Sequence, residues 1–331
     1  MNSTPLKLVI IGNGTAGSTA ASKAIKNEPN ISITIISEEN HGYYSRPQLP
    51  YYIANTKSLE QIQIHKKDWY KQNNIHLIEN TNVIDIDKEN KNIVLKNKQT
   101  IPYDKLLLAQ GACPLIPNIK GGNLPGIFVL RNIPDANKIK EHIKQKKAIT
   151  VIGGGLLGLE LAHSLISIGK TVNTIERADH LLPKLLNNNQ SSKLQLQLEN
   201  IGFNFFTDES CKEIEQKNNK LIITTEKKTQ IESETIILSI GVKPKKSLAA
   251  KAGLKTNRGI FVNEFLQTEN PNIYAAGDCI EFNGQCWGFV KATLEQAQIA
   301  IDNITLGNHK KYNGSDINPI LKIPGINLKE L

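Results

Sequence analysis

Two stretches of the chain share one pattern of apolar and polar positions. In the first, the apolar run from Leu6 to Ile11 ends in Gly12, Gly14 and Gly17. An alanine-rich stretch then continues to about Asn27, and a β-branched run from Ile31 to Ile36 closes on Glu38. In the second, Ala148 to Ile152 leads into Gly153, Gly155 and Gly158, a helical stretch to about Gly169, a further strand, and Glu176. Short β-branched runs bounded by glycine are the mark of buried parallel strands, and the longer stretches between them are helical. Each unit therefore predicts strand, turn, helix, strand.

The G-x-G-x-x-G spacing gives each glycine a separate task. Gly12 permits the tight turn, Gly14 lets a pyrophosphate approach the backbone, and Gly17 lets helix and strand pack closely. The helix N-terminus then faces a diphosphate with unpaired N–H groups and partial positive charge. Glu38, 26 positions after Gly12, and Glu176, 23 after Gly153, stand where a carboxylate accepts from ribose hydroxyls. Two such units predict two dinucleotide sites. The repeat also accounts for the apolar run Val151 to Gly169, which contains Glu160, His163 and five glycines and is no membrane span.

The remaining pattern fills in around these units. His41 to Pro50, dense in tyrosine and turn formers, follows a strand of the first unit; it lies near a ligand or is a surface loop in which Tyr43 and Tyr44 pack. Ser58 to Asn74 is helical in character, Val83–Asp87 and Asn92–Leu95 suggest a hairpin, and Lys105 to Ala109 is an apolar strand before a linker with Pro114 and Pro117. Ile236 to Gly241 is another buried strand. Asn272 to Asp278 is a strand ending in Gly-Asp, with a helix from about Lys291 to Asn303 beyond it. Asp278 is either a loop aspartate or an acceptor for a sugar-like hydroxyl. The sequence Gly169-Lys-Thr171 ends like a phosphate loop, but Ser164 stands where that motif needs glycine.

Composition changes this picture in three ways. The 331 residues suggest about two domains. The net charge of +9 raises nucleic acid as a partner, yet only four of the 40 basic residues are arginines, and arginine forks usually read phosphates and bases. The scattered lysines belong to solvated faces, with room for an acidic partner. The four cysteines form no C-x-x-C pair and suit a reducing compartment, the first strand begins too close to Met1 for a signal peptide, and no histidine spacing suggests a metal. A cytoplasmic protein without membrane or nucleic-acid attachment is expected.

With both glycine fingerprints and Ala276-Gly-Asp278 in this order, the chain resembles the FAD-dependent pyridine nucleotide-disulfide oxidoreductases. Within them it is most similar to the NADH:rubredoxin oxidoreductases and to the flavin module that opens the large subunit of NADH-dependent nitrite reductases. Tyr44, Arg46, Pro47, Leu49, Lys67-Asp-Trp-Tyr70, Gly158-Leu-Glu160, Gly241-Val-Lys-Pro244, Arg258-Gly-Ile260 and Pro319-Ile-Leu-Lys322 carry the likeness, which spans nearly the whole chain.

The resemblance implies an α/β protein with two Rossmann-like dinucleotide-binding domains, the second inserted in the first, and a truncated third. Expected boundaries are 1–113 and 244–312 for FAD, 114–243 for NADH, and 313–331 for the remnant, which should begin with a strand. By the same resemblance Gly12, Gly14, Gly17 and Glu38 hold the adenylate half of FAD, and Asp278 its ribityl chain. Ala292 and Thr293 lie at the flavin's pyrimidine edge, with Arg46 and Pro47 near the isoalloxazine. Gly153, Gly155, Gly158 and Glu176 bind NADH, with Glu160 near the nicotinamide and flavin N5. Disulfide-reducing relatives carry redox cysteines in the loop that here reads Ser45-Arg46-Pro47, so no thiol relay is expected. The implied activity is hydride transfer from NADH to FAD, then single-electron transfer to a small acidic iron protein such as rubredoxin. The alternatives are a flavin- and NADH-binding sensor or scaffold, or the electron-input module of a nitrite reductase.

Overall fold

The computed structural model describes residues 4–331, which form two compact units. The first comprises residues up to Ser45, Gln63–Cys113 and Lys243–Asn318. Its centre is a five-stranded parallel sheet in the order Ile273–Ala275, Lys105–Leu108, Lys7–Ile11, Ser32–Ile36, Ile75–Ile78. Strands so buried on both faces read as continuous apolar runs, which is why Leu8, Ile10, Ile35 and Leu106 to Leu108 have almost no exposed surface. The helices Thr15–Asn27 and Val290–Leu306 pack against each other in this unit, and the first buries Ala16, Ala20, Ala21 and Ala24.

The second unit comprises Arg46–Ile62, Pro114–Val242 and Pro319–Leu331. It repeats the plan: a five-stranded parallel sheet ordered Phe203–Phe206, Thr171–Ile175, Ala148–Ile152, Thr235–Leu238, Ile127–Val129. Each unit also inserts a three-stranded antiparallel meander ahead of the strand that pairs with the first strand of its glycine unit. These are Val83–Asp87, Asn92–Leu95, Thr100–Pro102 in the first unit and Cys211–Lys217, Lys220–Thr225, Gln230–Ser233 in the second. The α/β class with two Rossmann-like sheets is as expected. Of these six strands the sequence suggested only the Val83–Asp87 and Asn92–Leu95 hairpin; the others, short or rich in polar residues, had no clear signal.

Two local expectations are corrected. Ser58 to Asn74 is not one helix but two, Leu59–Ile62 and Lys67–Gln72, because the N–H groups of Ile64 and His65 turn away to the carbonyl of Tyr43. No strand forms between 313 and 331. There Leu321 and Ile323 are buried, Ile320 between the prolines is 71% exposed, and one 3₁₀ turn spans Leu328–Glu330.

The glycine turns set the helix-to-strand distance in both units. A Cβ on Gly17 would stand 1.9 Å from the carbonyl oxygen of Gly12, and one on Gly158 2.0 Å from that of Gly153. Gly155, by contrast, has nothing within 4 Å of its Cβ position and a φ of −77° that any residue adopts. Gly158→Ala should therefore lower stability by about 1–3 kcal/mol through overpacking, while Gly155→Ala should stay within about 0.5 kcal/mol. Urea midpoints at unchanged m value decide this, and equal losses in both variants would contradict it.

Candidate functional site

The first unit gathers seven of the expected residues. The helix Thr15–Asn27 starts at Gly14, with no side-chain cap and no acid in its first turn. Its leading N–H groups have no intrahelical partner, so the turn offers donors and a positive dipole end to an anion. Two further polar atoms beside it are buried without a partner, Nδ2 of Asn13 and Oε1 of Gln110. Gln110 adjoins the turn, its N lying 3.3 Å from the Cβ position of Gly12. A dinucleotide pyrophosphate fits this donor set, and the unused amide groups fit a ligand with both donors and acceptors.

The Gly-Asp end of the Ile273–Ala275 strand converges on the same helix. Gly277 has a φ of +87°, and its Cβ position is 3.1 Å from Cβ of Ala16 and 3.4 Å from Cγ2 of Thr293. The buried amide of Gln296 accepts from Gly277 N at 2.9 Å and fixes this turn. Asp278 is thereby set beside Thr293, whose Oγ1 is 3.5 Å from its Oδ1. The helix Val290–Leu306, which carries Ala292 and Thr293, also begins without a side-chain cap or an acid in its first turn.

Glu38 sits at the end of its strand as expected, but with a partner the sequence did not suggest. Lys245 Nζ is 2.6 Å from its Oε2, with the carboxylate side chain 55% exposed. Exposed pairs of this kind contribute about 0–1 kcal/mol, so ribose hydroxyls can share the carboxylate with the lysine. Tyr70 was also missed as part of the site. Its hydroxyl donates to Asn13 Oδ1 at 3.0 Å and accepts from Tyr43 N at 2.9 Å, tying the glycine turn to the tyrosine loop. Tyr43 in turn donates to Oγ1 of Thr15 at 3.2 Å, so this buried residue both packs and lines the turn.

The second unit holds the other expected residues. The helix Leu156–Ile166 starts at Gly155, again uncapped and without an acid in its first turn. The open space at Gly155 is what a close-approaching phosphate needs. Glu176 faces this turn: Oε2 accepts from Gly154 N at 2.7 Å and Oε1 from Ala178 N at 2.9 Å. Both bonds fix the carboxylate at the turn, and each oxygen keeps a lone pair for a ribose hydroxyl. Arg46 and Pro47 form a half-buried 3₁₀ turn leading into the helix Leu49–Ile53.

Glu160 is buried in its helix, 7% exposed. Its Oε1 accepts one hydrogen bond, from the backbone N–H of Lys322 at 3.0 Å. Burial raises its pKa above the usual carboxylate value, while the Lys322 N–H and the Lys322 charge pull it back. Three of the cysteines are not activated thiols: burial pushes Cys279 up to about 12 and Cys211 to about 11, and raises Cys286 as well. None of the four lies between Tyr43 and Tyr51, and all are free.

Known proteins share this architecture. The chain is 35% identical to nitrite reductase [NAD(P)H] of Bacillus subtilis (strain 168) over 97% of its own length, but it spans only 40% of that protein. It is 31% identical to the nitric oxide reductase FlRd-NAD(+) reductase of Shigella dysenteriae serotype 1 (strain Sd197), covering 97% of this chain and 82% of that one. Among solved structures, NADH:rubredoxin oxidoreductase from Clostridium acetobutylicum superposes with a TM-score of 0.82 at 30% identity, over 96% of this chain and 80% of that one. The defining pattern of the pyridine nucleotide-disulphide oxidoreductases matches residues 6–303. The chain therefore belongs to the pyridine nucleotide-disulphide oxidoreductase family, whose members are flavoproteins that work with FAD and NADH or NADPH.

Proposed function

We propose that this protein takes hydride from NADH onto FAD and passes electrons singly to a small acidic iron protein of the rubredoxin kind. The doubled site supports the reading best: two uncapped glycine turns, each followed by a carboxylate on the next strand, one in each unit. Bound FAD supplies the conversion from a two-electron donor to a one-electron acceptor. The residues of the chain bind and orient. The first-turn N–H groups at Gly14 hold the FAD pyrophosphate, Glu38 with Lys245 the adenosine ribose, and Asp278 the ribityl hydroxyls. The helix start at Ala292 and Thr293 directs its positive end at the pyrimidine edge, where it favours negative charge on the ring. Gly153, Gly155 and Gly158 seat NADH, Glu176 takes its adenosine ribose, and Glu160 faces the nicotinamide.

Two observations support a rubredoxin-type acceptor: no cysteine stands in the Tyr43–Tyr51 loop, and the net charge of +9 favours an acidic partner. The names of two relatives point the same way, a FlRd-NAD(+) reductase and an NADH:rubredoxin oxidoreductase. A second reading, the electron-input module of a nitrite reductase, is favoured by the 35% identity to the Bacillus subtilis enzyme. Under it, NADH reduces a one-electron dye through the protein while rubredoxin stays oxidised. The free thiols, of which Cys279 is buried and the other three partly so, suit a reducing compartment and support a cytoplasmic location; no helix among the described residues is long and apolar enough to cross a membrane.

Purified protein should be yellow, with FAD bound tightly but not covalently. Asp278→Ala should weaken FAD retention ten- to a hundredfold, since a hydrogen bond to a charged acceptor contributes about 1.5–3 kcal/mol. Fluorescence titration of apoprotein with FAD measures this, and unchanged affinity would remove Asp278 from the site.

NADH should be used in preference to NADPH, because Glu176 repels a 2′-phosphate. Arg177 next to it is the complication, since an arginine there could pair with that phosphate. Glu176→Ala should narrow the ratio of kcat/KM for the two nucleotides; equal or better use of NADPH by the unaltered protein would overturn the assignment.

Reduction of rubredoxin should slow as salt rises, with screening over about 8 Å at physiological ionic strength, while flavin reduction by NADH changes much less. Stopped-flow rates at several salt concentrations test this. Fast turnover of a disulfide or peroxide without reduction of any rubredoxin would refute the proposed acceptor.

A further inference from the structure

The segment Pro319–Leu331 makes an unexpected contact within the second unit. Lys322 presents its N–H to Glu160 Oε1 at 3.0 Å, and its carbonyl accepts from the Tyr51 hydroxyl at 2.9 Å. Leu321 and Ile323, on either side, are 2% and 3% exposed, so the peptide is anchored by apolar burial at both neighbours. The Lys322 side chain is exposed and acts on Glu160 through its charge alone. Glu160 is thus held by a backbone donor 162 residues away, on a segment whose burial keeps that donor in place.

We propose that the backbone of Lys322 is a positioning element for the reaction, holding the Glu160 carboxylate in one orientation through its N–H while Tyr51 steadies the same residue through its C=O. The inference rests on the reading that Glu160 faces the nicotinamide. A carboxylate with a single acceptor bond is free to rotate once that bond is lost, and a small misplacement of an orienting group lowers rates steeply. The groups that face or adjoin Glu160 are few. From the Leu49–Ile53 helix they are Tyr51, and Tyr52, which is turned to Asn137 Oδ1 and lies under Lys140 Nζ. From the tail there is Lys322, and from its own helix His163, whose pKa burial lowers. The strands packed on this helix, Ala148–Ile152, Thr171–Ile175 and Phe203–Phe206, carry no titratable side chain.

The sign of the pH effect follows. Glu160 has a raised folded-state pKa, so the folded protein binds its proton more tightly than the unfolded chain does. Its ionisation therefore removes stability as pH rises from the ordinary value of 4.5 through the folded value, and Glu160→Gln abolishes that loss. The folded-state midpoint of Glu160, read as the pH at which the Tm difference between parent and Glu160→Gln stops widening, is obtained without any need for NADH turnover.

Lys322→Pro deletes the donor together with the lysine charge, so Lys322→Gln, which removes the charge and keeps the N–H, is carried beside it and should shift rate and midpoint less; Ile320→Pro introduces the same ring two residues earlier, where the side chain is exposed, and is the second control. Lys322→Pro is expected to slow flavin reduction by NADH about tenfold and to move the Glu160 midpoint up by roughly one pH unit. In the Glu160→Gln background it should change the rate less than about twofold, as coupled residues require. Ile320→Pro should leave rate and midpoint in place. Should Lys322→Pro fail to fold, Tyr51→Phe, which loosens the peptide from its other side, is carried through the same cycle and should show the same coupling to Glu160. An equal slowing with and without the Glu160 carboxylate, or an unmoved midpoint, overturns the proposal. A Glu160→Gln variant reduced by NADH as fast as the parent would instead refute the placement of Glu160 at the nicotinamide.

Discussion

The approach of a helix to its strand without an intervening methyl group is the constraint on which both units depend. At Gly17 and Gly158 a Cβ would lie about 2 Å from a carbonyl oxygen, closer than any packed pair of atoms tolerates. The helix is thereby drawn over the end of the sheet, and its uncapped N-terminus opens where the strands stop. Gly12 and Gly153 complete the turn with φ of +113° and +119°, a backbone that a side chain resists; their Cβ positions fall 2.2 and 2.3 Å from the carbonyls of Ala109 and Ser239. The next parallel strand brings its carboxylate to the same edge by register alone, since Ile11 pairs with Ile36 and Ile152 with Ile175.

This constraint is local in sequence, which explains why it was legible. The glycines, the helix and the acid of each unit lie within about 30 residues, and each has a side chain, or lacks one, for a reason visible in the pattern. The parallel sheets followed from the apolar runs in the same way. Legibility ended where a partner comes from far along the chain. Lys245 is 207 positions from Glu38, Tyr70 is 57 from Asn13, and Lys322 is 162 from Glu160. A lysine, a tyrosine and a peptide N–H have no pattern that singles them out among dozens of equals.

The missed helix break at Ile64 and His65 has a related cause. Helical propensity over Ser58 to Asn74 is adequate, but two N–H groups do better with the carbonyl of Tyr43 than with their own turn. Tertiary hydrogen bonding there overrides local preference. The same loop is held from the other side by Tyr70, so the break belongs to the support of the first glycine turn. The Pro319–Ile323 segment likewise lacks a partner strand and is kept in place by two buried side chains.

The interleaving of the two units also governs the order in which the chain can fold as it is made. The first sheet needs the Ile273–Ala275 strand beside Lys105–Leu108, so it stays incomplete until the whole intervening segment has been synthesised. The second sheet draws all five strands from Ile127 to Leu238 and can close well before that, as a contiguous stretch with shorter loops to order. The unit written second is thus finished first, while the sheet of the other, whose segments lie on both sides of it in sequence, is still unpaired along one edge. Its Glu160 must wait longest of all: the peptide group that meets it emerges only after both sheets exist.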